Sequence, residues 1–233
     1  MHPIHPIHPL DRPVWASLIG AHAHLSVGGA QARRYQPDVN RFAATPDDGP
    51  EALAALAALL TPGDSVFLAQ VPELVVPPGL RIAKQGVCVQ MLATRTLRDD
   101  GGADELLRLG EPDAADMLAL ATLTEPGPFL PRTHVMGDFL GVRQGGRLLA
   151  MAGERFRVPG YAEVSGVCTH PDARGMGLAR RLSAAIAARI QARGEQPFLH
   201  AWETNTAAIA LYETLGFRLR SQVHVAVLER PAD

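Results

Sequence analysis

The sequence predicts an α/β protein with a strand-helix-strand unit late in the chain. An apolar, β-prone segment at residues 164–169 passes through a turn and a glycine-containing loop into a helical pattern. A short apolar segment at 198–202 follows, and a second helical pattern then leads to an alternating segment at 218–228. Helical and strand patterns that alternate in this way are typical of a sheet covered by helices.

The first part of the chain carries an α/β pattern of its own. An alanine- and leucine-rich segment at 51–60 predicts a helix, and Thr61-Pro-Gly-Asp64 ends it. Residues 65–70 and 84–93 are predicted to be strands, the second from its alternating apolar positions. A short helical pattern also covers 13–25. This part of the chain contains neither a phosphate-binding loop nor a convincing catalytic set.

Asp99-Asp-Gly-Gly102 is predicted to begin a linker. We therefore expect a smaller N-terminal α/β half at residues 1–110 and a second domain at 111–233. The pattern of the second domain is the more informative of the two, since it contains the late strand-helix-strand unit.

The second domain is predicted to open with a helix at 112–123. Three prolines and one glycine make residues 125–131 irregular. Residues 139–143 and 147–154 are predicted to be two strands, joined by a hairpin turn at Gln144-Gly-Gly146. A final turn at Gly160-Tyr161 leads into the central strand.

Composition excludes several classes of protein. The formal net charge is −2, from 22 basic and 24 acidic residues, which favours neither a nucleic acid nor an anionic membrane as a partner. Two cysteines argue against a disulfide framework and are typical of a reducing compartment. With no membrane-length apolar run and no secretory signal, a cytoplasmic protein is expected. No metal is expected, because His2, His5 and His8 have no carboxylate or cysteine beside them.

The loop from Arg174 to Ala179 is suited to an anion. It precedes a helix whose first amides have no intrahelical acceptor and whose dipole places positive charge at that end. Gly175 and Gly177 lack a Cβ atom, so a pyrophosphate can approach the backbone closely, and Arg174 adds a charged donor. The alternative is an ordinary strand-to-helix connection. No Gly-Lys-Ser/Thr and no Gly-x-Gly-x-x-Gly is present, so other nucleotide loops are disfavoured.

Two motifs at a fixed separation carry a family resemblance. Arg174-x-x-Gly177-x-Ala179 resembles the acyl-CoA loop of the GNAT N-acetyltransferase superfamily. Asn205-x-x-Ala208-x-x-Leu211-Tyr212-x-x-Leu215-Gly216-Phe217 resembles the second signature of the same superfamily. The resemblance extends from about residue 146 to 228. The sequence Val167-Cys-Thr-His-Pro171 resembles that of a branch of the superfamily with an extra N-terminal half.

The resemblance implies a fold and an activity. The fold would be a mixed, mostly antiparallel sheet flanked by helices, and the N-terminal half could be a degenerate copy of it. The activity would be direct transfer of an acetyl group from acetyl-CoA to a primary amine. The identity of the amine and the oligomeric state of the protein stay open. The alternative is a non-catalytic acyl-CoA-binding or sensing module. Residues 125–131 would be either an acceptor-site loop or a rigid connector.

The resemblance also implies which residues bind acetyl-CoA. The pantetheine arm would pair with the central strand like an additional strand, and the pyrophosphate would meet the loop amides. Asn205 matches a position that often contacts the cofactor, although it could equally cap its helix. The residues expected at the cofactor are Val167, Cys168, Thr169, Arg174, Gly175, Met176, Gly177, Leu178, Ala179 and Asn205.

Two catalytic roles are implied in the same way. Tyr212 matches the general acid that protonates the leaving thiolate; alternatively it is a core aromatic residue. Glu163 lies where some relatives place the carboxylate that deprotonates the amine, and Ser165 shares its strand face by alternation. Cys168 is expected to be a small buried hydrophobic residue rather than a nucleophile. Trp202 is expected either beside the acceptor or in the core.

Overall fold

The computed structural model describes residues 8–98 and 106–232, which form five α-helices and eleven strands. The helices are α1 Pro13–Ile19, α2 Pro50–Ala58, α3 Ala114–Thr124, α4 Leu178–Ala192 and α5 Thr206–Leu215. The strands are β1 Ser26–Gly28, β2 Arg33–Tyr35, β3 Ala43–Ala44, β4 Ser65–Gln70, β5 Arg81–Ala93, β6 Leu107–Leu109, β7 Phe139–Gln144, β8 Arg147–Val158, β9 Tyr161–Thr169, β10 Gln196–Trp202 and β11 Phe217–Glu229.

One large sheet organises the molecule. Its eight strands lie in the order β4-β11-β5-β10-β9-β8-β7-β6. Neighbouring strands are antiparallel except for β9 and β10, which are parallel. The predicted mixed, mostly antiparallel sheet is therefore confirmed. A second, three-stranded sheet of β1, β2 and β3 was not predicted.

Strands from both parts of the chain build the large sheet. β5, from the first part, pairs with β10 on one side and with β11 on the other. β4 extends the same sheet by pairing with β11. The division into residues 1–110 and 111–233 stays a prediction, and the predicted linker start at 99–102 lies outside the described residues.

Helices cover both faces of the large sheet, because side chains alternate along each strand. Val164 and Leu199 face a buried cluster that contains residues of α4 and α5. Phe198 faces the opposite side, where α1 packs, and Cys168 packs on that side with residues of α3. The face of α4 and α5 will be called the donor face, and the face of α1 and α3 the acceptor face.

Most predicted elements are present with small shifts at their ends. The strand at 65–70 has the predicted bounds. The hairpin between β7 and β8 turns at Gly145 and Gly146, whose φ angles are 57° and 81°. Both angles lie in the left-handed region, which glycine enters at no steric cost. The helical pattern at 13–25 forms only α1 and a 3₁₀ turn at Ala23–Leu25.

Candidate active site

A fork between two parallel strands lies at the centre of the large sheet. β9 and β10 pair only from Gln196↔Tyr161 to Phe198↔Glu163. Beyond this point β9 remains paired to β8, up to Thr169, whereas β10 pairs with β5 up to Trp202. The backbone of β9 that faces the fork therefore has no strand partner on that side, and an extended ligand can pair with it.

A β-bulge shapes β9 inside the fork. The register between β8 and β9 shifts between Met151↔Cys168 and Gly153↔Ser165, so β9 carries an additional residue there. Gly166 adopts φ 61°, and a Cβ atom at this position would lie 3.1 Å from Cε1 of Phe139. Gly166 is thus required both for its backbone angle and for close packing, and no sequence pattern predicted this role.

The loop after β9 has the geometry expected of an anion site. Gly177 is the N-cap of α4, with φ 74°, and offers no side chain to cap the first amides. Gly175 has φ 80°, and no atom lies within 4 Å of a Cβ built at either glycine. Arg174, Met176 and both glycines are exposed. An anion can therefore reach the first-turn amides of α4 without displacing protein atoms.

Of the other predicted cofactor residues, Leu178 is buried and Ala179 is half-buried at the start of α4. Val167, Cys168 and Thr169 form the end of β9, at the open side of the fork. Asn205 caps α5, because its side-chain oxygen accepts a hydrogen bond from the Ala208 amide at 3.2 Å. The structure thus brings the predicted cofactor residues to one end of β9, α4 and α5.

Tyr212 lies in the donor-face core, on α5, and only 8% of it is exposed. Its ring contacts the ring of Phe217 edge-on, at 6.0 Å between centroids. Burial raises the pKa of the Tyr212 phenol to about 12, although the nearby hydroxyl of Ser183 opposes the rise. The Ser183 hydroxyl is itself buried and makes no hydrogen bond of good geometry. At neutral pH Tyr212 is therefore a protonated donor.

Glu163 occupies a closed ion pair on the acceptor face. Arg155 donates to its two oxygens, from Nε at 2.9 Å and from Nη2 at 2.6 Å. The His200 Nδ1 atom lies 2.7 Å from Oε1, and the Phe156 amide donates to Oε2 at 3.3 Å. Burial alone would raise the pKa of Glu163, but the Arg155 charge and these donors lower it to about 2.

This geometry argues against Glu163 as the base. The side chain is 0% exposed, so an amine does not reach it. Its four hydrogen bonds occupy the carboxylate lone pairs, and a pKa near 2 makes it a weak proton acceptor at neutral pH. The expectation came from position in the strand alone, which does not show the partners of a side chain.

Glu163 also belongs to a polar belt across five neighbouring strands. Arg220 Nη1 lies 2.8 Å from Gln90 Oε1, and Gln90 Nε2 lies 3.0 Å from His200 Nε2. Since Gln90 Nε2 can only donate, His200 Nε2 accepts and Nδ1 donates to Glu163. The members of the belt, from β11 to β8, are Arg220, Gln90, His200, Glu163 and Arg155.

A small cavity lies against the bulge on the acceptor face. The irregular segment at 126–129 lines it, and Arg155 and Ser165 line it as well. The principal lining residues are Pro126, Gly127, Phe129, Arg155, Ser165 and Gly166.

Two further predicted residues have clear surroundings. Trp202 is 40% exposed and lies against Gly86, where a Cβ atom would come within 3.1 Å of the indole Cζ3. It is therefore an exposed residue at the end of β10 rather than a core residue. Cys168 is buried among residues packed on α3, and burial raises the pKa of its thiol to about 11. A neutral, enclosed thiol is not a nucleophile.

Within residues 8–98 and 106–232, no group of three or more His, Cys, Asp or Glu side chains could hold a metal ion. Among the helices of these same ranges, none combines the length and apolarity needed to cross a bilayer.

Comparison with known proteins identifies the class. A family model described as FR47-like protein matches residues 139–225. A protein from Novosphingobium aromaticivorans, assigned to the GNAT family as an acetyltransferase, is 44% identical in sequence. Its structure superposes with a TM-score of 0.89, over 97% of this chain and 100% of that one. The chain therefore belongs to the GNAT family, and it is an acetyltransferase.

Two other relatives add detail. A GCN5-related N-acetyltransferase from Kribbella flavida shares the fold, with a TM-score of 0.63 over 98% of each chain and 18% identity. A mycothiol acetyltransferase from Thermobispora bispora is 48% identical over 56 residues, which are 24% of this chain. The matched part is 19% of that enzyme's length.

Proposed function

We propose that this acetyltransferase moves the acetyl group of acetyl-CoA directly to a primary amine. The observation that carries the proposal is the alignment of three features along one path. The uncapped start of α4 follows the end of β9, the bulge at Gly166 lies further back on the same strand, and the fork opens beside both. A long, anion-bearing thioester fits such a path.

The donor would bind mainly through backbone groups. Its pyrophosphate would accept hydrogen bonds from the amides at 174–179, with Arg174 as an additional charged donor. Its pantetheine arm would pair with the open edge of β9 at Val167, Cys168 and Thr169. The amide of Asn205 would contact the cofactor while its oxygen caps α5. The bulge supports this proposal, because it frees backbone groups at the level where the thioester would lie.

Tyr212 would assist the leaving thiolate. A phenol with a pKa near 12 holds its proton throughout the physiological range, so it can donate a hydrogen bond to the sulfur at every turnover. The same raised pKa makes it a weaker acid than free tyrosine. Its contribution would therefore be a hydrogen bond to the developing thiolate, and a proton passed to the sulfur would be replaced by one from solvent, so that Tyr212 ends the turnover protonated.

The amine would reach the thioester without help from Glu163 or His200. Glu163 is closed within its ion pair, and both ring nitrogens of His200 are occupied by partners. The acceptor would thus be the neutral fraction of the amine, and its proton would pass to solvent on the acceptor face. The acceptor is proposed only as a primary amine, since the mycothiol acetyltransferase match covers 24% of this chain.

The first part of the chain would be structural. It supplies β5, which pairs with both β10 and β11, and its sequence contains no phosphate-binding loop. A cytoplasmic location is proposed from the two unpaired cysteines, Cys88 and Cys168, both of which are buried.

Release of free CoA from acetyl-CoA, measured against a broad panel of amines, tests the proposed reaction. We expect amine-dependent CoA release and a product heavier by one acetyl group, found by mass spectrometry. Equilibrium binding of acetyl-CoA is measured alongside. Tight binding with no release for any amine would instead indicate an acyl-CoA-binding module, and the absence of both would contradict the assigned donor site.

A further inference from the structure

The guanidinium group of Arg155 is fixed in an unusual setting. Its Nε and Nη2 atoms both donate to Glu163, at 2.9 and 2.6 Å. Its central carbon lies 4.7 Å from the ring centroid of Phe156 and 5.1 Å from that of Phe42. The ion pair and the two rings together fix the orientation of the group.

This orientation leaves one edge of Arg155 directed at the cavity beside the bulge. A Cβ atom on Gly127, in the segment that lines the cavity, would lie 3.9 Å from Nη1. Ser165 and Gly166 line the same cavity from β9. The Arg155 side chain is 14% exposed although its Glu163 partner is 0% exposed. The Nη1 edge is thus the accessible part of an otherwise enclosed ion pair.

From this arrangement, and building on the proposed function, we propose that Arg155 selects the acceptor. Its Nη1 edge binds an oxygen acceptor, either a carboxylate or an amide carbonyl, that lies a few atoms from the reacting amine. The cavity has a volume of about 10 Å³, enough for a single oxygen atom, and it adjoins the bulge at Gly166, so the bound oxygen and the reacting amine belong to one compact group. Amino acids and compounds with an aminoacyl end have this chemistry.

The charges around the cavity explain why both kinds of oxygen are included. Glu163 balances Arg155, and Glu154, which also lines the cavity, is balanced by Arg193 at 2.8–2.9 Å. The cavity has little net charge, so recognition depends on the Nη1 hydrogen bond rather than on long-range attraction. A hydrogen bond to a charged donor still changes affinity by about tenfold or more.

The wild-type enzyme provides the first test. Matched triplets are compared as acceptors: an α-amino acid, its primary amide, and the amine in which a methyl group replaces the carboxyl group. The kcat/KM values are corrected to the neutral amine fraction. We expect the acid and the amide to exceed the plain amine by about tenfold or more. An acid preferred over its amide would assign a carboxylate, and equal values would assign a carbonyl oxygen.

Two variants then test the residue. Arg155→Lys keeps the charge but cannot hold Glu163 through two atoms and also present a further donor edge. Arg155→Gln/Glu163→Gln removes the ion pair as a unit. In both, we expect the preference for the oxygen-bearing acceptors to fall to within about threefold. The matched control is Arg143→Gln/Asp113→Asn, which removes a partly buried 2.8 Å ion pair that does not line the cavity.

Three results would overturn the inference. The first is a wild-type enzyme that uses the plain amine as well as it uses the acid and the amide. The second is an Arg155 variant that keeps the wild-type preference for oxygen-bearing acceptors. The third is an equal loss of that preference in the Arg143→Gln/Asp113→Asn control. Failure of the proposed function looks different, because no amine of any kind would then release CoA. If the double variant does not fold, Arg155→Lys and the wild-type triplets decide.

Discussion

Replacement of Gly166 by alanine tests the role of the bulge in β9. At φ 61°, an L-residue costs about 1–2 kcal/mol relative to glycine. The new Cβ would lie 3.1 Å from Cε1 of Phe139, whose ring packs edge-on against Phe129 at 5.8 Å. Crowding in such a core typically costs about 1–3 kcal/mol. We therefore expect Gly166→Ala to lower the free energy of unfolding by about 2–5 kcal/mol.

A matched control separates backbone strain from the effect at the site. Gly145 has a similar angle, φ 57°, but no atom lies within 4 Å of its Cβ position. Gly145→Ala should therefore cost only about 1–2 kcal/mol, a fall of about 2–8 °C in Tm for a chain of this size. It lies in the β7–β8 hairpin turn, outside the fork, and should bind acetyl-CoA normally.

The two variants are compared by thermal unfolding and by calorimetric titration with acetyl-CoA. We expect Gly166→Ala to raise the Kd for acetyl-CoA by about tenfold or more, because a reshaped bulge no longer presents its backbone groups to the thioester. A folded Gly166→Ala protein with wild-type affinity would refute the reasoning. Equal loss of affinity in Gly145→Ala would refute it as well.

Three other predictions concern separate parts of the molecule. Gly177→Glu should abolish detectable acetyl-CoA binding in titration calorimetry, because a carboxylate would stand at the anion site. Arg174→Ala should weaken binding only partly. Unchanged affinity in Gly177→Glu would contradict the loop assignment. Tyr212→Phe should lower kcat by about 10²- to 10⁴-fold with an unchanged Kd for acetyl-CoA, and turnover within a few-fold of wild type would remove Tyr212 from the mechanism. Burial lowers the pKa of His22 to about 4, so the unfolded chain binds more protons between pH 6.5 and 4, and stability should fall by up to about 3 kcal/mol as the pH drops through that window. Urea unfolding of His22→Asn should show a weaker pH dependence than wild type, and an identical dependence would exclude this origin.

The glycine loop and helix start at 174–179 could be predicted from sequence because their geometry depends only on nearby residues. A helix start without a capping side chain, preceded by two glycines, has the same meaning in any fold. The helix start is confirmed, because α4 begins at Leu178 with Gly177 as its N-cap, whereas anion binding by this loop stays a prediction. The N-cap role of Asn205 was predicted for the same reason, since a cap depends only on residues three positions away.

The surroundings of Glu163 could not be predicted in the same way. Its partner His200 lies on a parallel strand, and no local pattern fixes the register of two such strands. The other partner, Arg155, could not be predicted either. A regular hairpin that continues from Val158↔Tyr161 would place Phe156 opposite Glu163, and Arg155 would then lie on the other face of the sheet. Only the register shift between Glu154 and Arg157 brings Arg155 to Glu163.

The position of β5 in the sheet could not be predicted from the sequence either. The pattern predicted a strand at 84–93 but gave no reason to place it between β10 and β11, far away in the chain. Long-range pairing of this kind depends on which edges remain available once the nearby strands have paired. Gln90 and Arg220, two members of the polar belt, likewise become neighbours only because β5 pairs with β11.

A crystal structure of this protein with acetyl-CoA tests the proposed donor site most directly. We expect the pyrophosphate within hydrogen-bond distance of the amides at 174–179 and the pantetheine arm along the open edge of β9. We also expect the thioester at the bulge of Gly166, with its sulfur beside the hydroxyl of Tyr212. Acetyl-CoA bound outside the fork, or with its thioester remote from Gly166, would contradict the proposed donor site.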